Sequence, residues 1–311
     1  MSNQIEYEYN GNTFKIDEVL AYQLDSIAYN IKNDWDFVIM VSGDRKVRVG
    51  KSVLAMQICS YLHYAIKKLG LNDNAYTKDN VFFENANLIK TAQIRPQYSI
   101  IHYDEGREGL ASIKAMKSFQ QDLIDFFTEC GQLNHVFVIV CPDFFELNEN
   151  IAVGRSEFLI NVYRREDTRM MDIYKDGTKR PITILKRGQF EFFSRPAKQL
   201  LFEIAKNTRR KSYNHIKPDH KGTFSHYYTI DEQEYKQLKK DALTRFNKRH
   251  EEKKERKLNV QRDQYIINRY KEGAKTKEIH SELEKYFEIM LSEDRIRGIR
   301  LKNKENKHDS V

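Results

Sequence analysis

Short apolar runs alternate with longer mixed stretches through the first half of the chain. The runs at 37–41, 81–83, 100–103, 136–140 and 158–163 are too short for helices and rich in valine, isoleucine and aromatic residues. Each predicts a buried strand. Helically spaced apolar positions precede the first run, at 18–31, and fill intervals between the others, at 53–66, 85–91 and 114–132. Ahead of the first helix, residues 5–16 alternate around Asn10-Gly11 and predict a hairpin, with Asp17 set to cap the helix that follows. Strands alternating with helices predict an α/β fold of three layers around a largely parallel sheet.

Beyond 163 the pattern changes. Residues 171–174, 182–185 and 190–193 alternate as a β-ribbon, with turns expected at Asp176-Gly177 and Arg187-Gly188. A charged helix is predicted over 235–258, then shorter helices at 263–271, 276–286 and 293–302, with Thr276 and Ser292 as caps and a turn at Glu272-Gly273-Ala274. This divides the chain into 1–35 (hairpin and helix), 36–221 (main domain with ribbon extension), 222–259 (connecting charged helix) and 260–311 (helical module).

Chemistry enters where the run at 37–41 breaks into Ser42-Gly43-Asp44-Arg45-Lys46-Val47-Arg48-Val49-Gly50-Lys51-Ser52, directly before a helix. A strand, a glycine loop, Lys-Ser and a helix N-terminus together read as a phosphate-binding loop. Backbone at Gly43, Val49, Gly50 and Val53 would cradle phosphates, Lys51 would reach the β and γ phosphates, and the Ser52 hydroxyl would ligate Mg²⁺. Six residues separate Gly43 from Gly50 where four is usual, and the enlarged loop is basic through Arg45, Lys46 and Arg48. The run at 100–103 ends in Asp104-Glu105, so Asp104 would hold Mg²⁺ and Glu105 would orient or deprotonate the attacking water. ATP is the nucleotide expected over GTP.

Three further places bear on hydrolysis. The strand 136–140 ends in Cys141-Pro142-Asp143, where a γ-phosphate sensor would carry glutamine, asparagine or threonine; Asp143 is a weak substitute. Arg155 is the first candidate for an arginine offered to a neighbouring subunit's γ-phosphate, with Arg164 and Arg165 behind it. The bland alternative is a surface arginine paired with Glu149 or Glu157. His102, inside its strand, reads as a core residue.

Charge separates the chain's parts. Residues 1–150 carry net −6, residues 151–235 net +6 and residues 236–311 net +8. The basic remainder predicts a polyanionic partner, with nucleic acid the first candidate and a solvated charged helix the alternative. The ribbon's cations and interleaved aromatics fit a nucleic-acid backbone or, equally, a solvated sheet extension. In the last module the glycine turn and basic final helix are similar to helix-turn-helix domains, with Lys275, Lys277, Arg295, Arg297, Arg300 and Lys302 as DNA contacts; a small oligomerisation bundle is the alternative. Cys59, Cys130 and Cys141 lack metal-ligand spacing and predict reduced, buried thiols. No apolar run reaches the length of a membrane span, and the polar start resembles no secretory signal, so a cytoplasmic protein is expected.

From about 38 to 240 the chain resembles the P-loop ATPases grouped with zonular occludens toxin-like proteins and the FtsK/HerA-type DNA pumps. The resemblance rests on Gly50-Lys51-Ser52, Tyr103-Asp104-Glu105, the strand leading to Pro142-Asp143-Phe144-Phe145, and Arg155 ahead of Leu159-Ile160-Asn161-Val162-Tyr163. Gly222-Thr223-Phe224 and the stretch 227–235 are similar to a segment of phage, viral and mobile-element members. It implies a RecA/FtsK-like P-loop core and a DNA-translocating or DNA-loading ATPase that works with Mg²⁺ and ATP as a homo-oligomeric ring, a hexamer being one candidate. The stretched loop, the missing sensor glutamine and the lack of a membrane span depart from that pattern. Terminase-like packaging ATPases are another relative, although no nuclease domain is recognisable. A nucleotide-switched DNA-binding regulator or partition protein with slow hydrolysis is the second functional reading. A small-molecule kinase is the third, disfavoured because no acceptor lid is recognisable.

Overall fold

The structure, a computed structural model, describes residues 3–43, 48–104, 121, 126, 131–287 and 291–308. It opens with the expected hairpin, β1 (Gln4–Tyr9) and β2 (Asn12–Asp17), turned at Asn10 and Gly11, both at positive φ. That is the backbone a two-residue hairpin turn needs. The Asp17 carboxylate then accepts from the Leu20 N–H at 3.1 Å and caps α1 (Glu18–Ile31).

Among the described residues the main sheet has seven strands: β3 (Phe37–Gly43), β4 (Val81–Phe82), β5 (Ile100–Asp104), β6 (Val136–Val140), β7 (Ser156–Met171), β8 (Arg180–Phe193) and β9 (His220–Thr223). Their spatial order is β4-β5-β6-β3-β7-β8-β9. Neighbours from β4 to β7 pair in parallel, and β8 and β9 add antiparallel. Strands β3, β5 and β6 are almost wholly buried, which is why they read as unbroken apolar runs rather than alternating ones.

Helices cover both faces. One core gathers α1, α2 (Lys51–Lys68) and the β1–β2 hairpin against Ile39, Val41, Val138 and Ile160. The other packs α3 (Asn85–Ile94) and α4 (Arg195–Thr208) against Val38, Met40, Phe137 and Leu159. Alternate residues of β3 serve the two cores, Ile39 and Val41 facing one and Val38 and Met40 the other. The register pairs Gly43 with Val162 and Asp104 with Val140, so β3, β5 and β6 end at one edge, which β7 passes at Val162 on its way into the ribbon. Strand β6 lies between β3 and β5.

Several expectations change. The turn at Arg187-Gly188 is absent: β8 runs through it, and β7 and β8 form one long two-stranded ribbon turning at 172–179. Gly188 has φ 85°, and a Cβ there would lie 2.5 Å from the Phe224 carbonyl oxygen. The glycine serves a close approach, not a reversal. The charged helix and the 263–271 helix are one element, α5 (Glu232–Lys271), because no glycine or proline interrupts it. The helix expected at 114–132 falls, apart from Gln121, Phe126 and 131–132, outside the described residues, as does Cys130; Cys59 and Cys141 are both buried.

The chain splits into two compact units, Met1–Leu243 and Thr244–Val311. In the second, the end of α5 packs with α6 (Thr276–Phe287) and α7 (Glu293–His308) around Ile266, Ile279, Leu283, Leu291 and Ile296. A fork of Arg269 on Glu282, 2.6 Å at its shorter contact, braces α5 on α6. Ser292 caps α7, accepting from Arg295 N–H at 3.4 Å, whereas Thr276 begins α6 and its hydroxyl pairs with Tyr270 at 2.9 Å. Among the described residues, no helix is long and apolar enough to cross a membrane.

Candidate nucleotide site

Beyond Gly43 the chain returns through Arg48 and Gly50, both at positive φ (60° and 107°), and enters α2 at Lys51. Such a curl lets successive N–H groups face one anion. Among the described residues no side chain caps the start of α2, and the N–H groups of a helix's first turn, which have no intrahelical partner, suit an anion. Space around the glycines is tight. A Cβ on Gly43 would lie 2.9 Å from the Val162 carbonyl oxygen and 3.3 Å from Lys51 Cδ, so the lysine stem runs back beside the strand end. A Cβ on Gly50 would lie 3.0 Å from the Phe224 ring. Val49 and Val53 are buried in the core that α1 and α2 share.

Ser52, in the first turn of α2, meets the last residue of β5. Its hydroxyl donates to Asp104 Oδ1 at 3.1 Å. The carboxylate is buried and its second oxygen is also engaged: the Tyr235 hydroxyl donates to Oδ2, and Lys239 Nζ lies 3.7 Å from it. Burial, followed by the Asp104 charge, drives the Tyr235 pKa far above the ordinary phenol value, which keeps the hydroxyl protonated as a donor. Glu105 and the loop residues Asp44 to Val47 lie outside the described residues.

Tyr235 arrives on a strap that follows β9. Gln57 on α2 donates to the carbonyls of Ser225 (2.7 Å) and Tyr227 (3.0 Å), and Thr229 donates to the Met56 carbonyl at 3.1 Å. The Tyr227 ring stacks on Phe14 at 5.1 Å. Neither Tyr235 nor Lys239 was marked for this site in the sequence, where they belong to a charged helical pattern with no spacing signal for metal or phosphate.

Other expected residues fall elsewhere. Arg155 precedes β7, at the sheet edge opposite the loop, 3.8 Å from Asp36. Within the chain it does not reach Ser52 or Asp104. Arg164, further along β7, does reach the loop's edge: it lines a cleft of about 410 Å³ with Gly43, Asp143, Asn161, Glu191 and Tyr213. In that cleft Asn161 Nδ2 donates to Glu191 at 3.0 Å and Lys221 pairs with the same carboxylate at 2.8 Å. A lone asparagine inside the apolar stretch Leu159-Ile160-Asn161-Val162 was the available signal. Asp143 caps a short turn, accepting from Phe145 N–H at 3.0 Å. His102 is fully buried beside Tyr76, 3.2 Å from its hydroxyl, and burial lowers its pKa to about 4.

In the second unit Lys275, Lys277 and Arg295 expose their side chains. Arg297 pairs with Glu293 at 3.0 Å and Asp294 at 3.2 Å, and Arg300 lies over the Tyr270 ring at 4.7 Å. The Lys302 side chain is outside the described residues. No family model matches the chain, and no curated protein or solved structure does.

Proposed function

We propose that the chain is a Mg²⁺-dependent ATPase with a RecA/FtsK-like P-loop core that acts on DNA as a ring oligomer. The Ser52–Asp104 hydrogen bond carries the reading, because it joins a hydroxyl on an uncapped helix start to a buried carboxylate at the sheet's carboxyl edge. Ligands of α/β sheets bind in the crevice at that edge.

The donor set fits Mg²⁺. A hydroxyl and a carboxylate are hard oxygen ligands, and this ion takes one or two protein ligands while keeping phosphate and water oxygens. Ser52 and Asp104 would hold it, and once bound it would neutralise charge on the transferred phosphate. Backbone at Val49, Gly50 and Val53 and the start of α2 would hold the phosphates, Gly43 would keep the strand end narrow, and Lys51 would extend to the β and γ phosphates. Glu105, next after Asp104 in the sequence, would orient or deprotonate the attacking water. The position of β6 between β3 and β5 supports the motor-type arrangement, since the sensor strand then neighbours both site strands.

For DNA, the support is the net +8 of residues 236–311 and the exposed Lys275, Lys277 and Arg295. The place of Arg155 away from its own site fits a role toward a neighbouring subunit. The test is ATP hydrolysis with and without single- and double-stranded DNA at two salt concentrations. DNA should stimulate turnover, more strongly at low salt, and Lys51→Ala should abolish it. Turnover indifferent to every DNA would overturn the motor reading.

A further inference from the structure

The carboxylate of Asp104 is held by a residue that the nucleotide motifs do not contain. We infer that Tyr235 is a positioning residue that fixes Asp104 for the divalent cation, an inference that rests on the nucleotide reading above.

An aspartate's terminal torsion is broad, so one hydrogen bond leaves its plane free to turn. Asp104 has two: Ser52 on Oδ1 and Tyr235 on Oδ2. Together they aim Oδ1 at the start of α2. Hydrogen-bond partners behind a ligating carboxylate set its orientation and basicity, and losing one costs about 10- to 100-fold in metal affinity.

Tyr235 is itself well anchored. Its ring is 3% exposed and packs against Phe83 and Tyr228, with centroids 5.9 and 5.8 Å away. The Asp231 carboxylate accepts from Glu234 N–H at 2.7 Å, and the Asp231 carbonyl accepts from Tyr235 N–H at 3.0 Å. Lys78, ahead of β4, pairs with Glu234 at 2.9 Å and ties this first turn of α5 to the sheet's edge. One turn later, Lys239 holds its ammonium near the same Oδ2 and over the Phe83 and Tyr235 rings. Its long, half-exposed stem supplies a counter-charge that can withdraw when a divalent cation arrives.

The test uses the full chain and Y235F, which removes one oxygen and keeps the ring contacts. Binding of a fluorescent ATP analogue is followed while Mg²⁺ is titrated, with Asp104→Asn in parallel to set the largest loss. For Y235F the half-saturating Mg²⁺ should rise about 10- to 100-fold, approaching the Asp104→Asn value. Analogue binding in EDTA should match the unmodified protein, because the loop and Lys51 are untouched; a merely structural role would weaken both. A Y235F titration that coincides with the unmodified protein, or shifts to lower Mg²⁺ because the hydroxyl competes with the ion, overturns the inference alone. An unmodified protein that binds no analogue overturns the nucleotide reading and Tyr235's role with it.

Discussion

Ser52 and Asp104, 52 residues apart in the chain, meet in a 3.1 Å hydrogen bond where the first turn of α2 faces the end of β5. The intervening segment carries β4 and α3, so the contact exists only once the parallel sheet has formed. It makes the loop and the acidic strand end one site, and the predictions below test how that site is held and used.

Gly50→Ala should lose both stability and nucleotide binding. Its φ of 107° disfavours any Cβ, and the new methyl would press on the Phe224 ring. Strain of this kind costs on the order of 1–3 kcal/mol. Thermal unfolding and ATP-analogue binding measure the two losses.

Gln57→Met should loosen the strap without emptying the core. The buried amide donates to two strap carbonyls, and their loss leaves both without that donor, at a cost of about 1–3 kcal/mol. Limited proteolysis should then cut near 225–229 faster than in the unmodified protein.

Acid should destabilise the first unit through its buried histidines. His63 and His135 have pKa values below the ordinary 6.5, in each case mainly from burial, and His63 Nδ1 accepts the Tyr76 N–H at 3.1 Å, a bond only the unprotonated nitrogen can make. The folded state therefore binds fewer protons than the unfolded chain, so their contribution is intact above pH 6.5 and falls as the pH drops below it. Tyr9 works at the other end: burial raises it to about 12, so its contribution is complete below pH 10 and lost as the pH climbs through 12. Denaturant midpoints across pH should fall on both sides.

Arg295→Ala should weaken DNA binding with little regard to sequence if its exposed guanidinium contacts phosphate. The slope of log affinity against log salt should fall by about one. An unchanged slope would remove Arg295 from the interface.

Much of this architecture was legible in the sequence. The strand positions of the parallel sheet, the α1 cap at Asp17 and the placement of Gly50-Lys51-Ser52 follow from local apolar pattern and local turn chemistry. What escaped depends on contacts distant in the chain. Gly188 looks like a turn residue, and only the approach of Phe224 makes it a strand residue. Tyr235 sits in a charged helical pattern, yet a contact 131 residues back gives it a place at Asp104. The join of the two helices expected on either side of 259 into one was local: no glycine or proline interrupts α5.

The most direct measurement is ATP binding by calorimetry, with and without Mg²⁺, for the unmodified protein, Lys51→Ala and Asp104→Asn. The unmodified protein should bind ATP more tightly with Mg²⁺, Lys51→Ala should lose binding in both conditions, and Asp104→Asn should keep the Mg²⁺-free affinity and lose the enhancement. An unmodified protein without measurable ATP binding, or two variants indistinguishable from it, would contradict the nucleotide site.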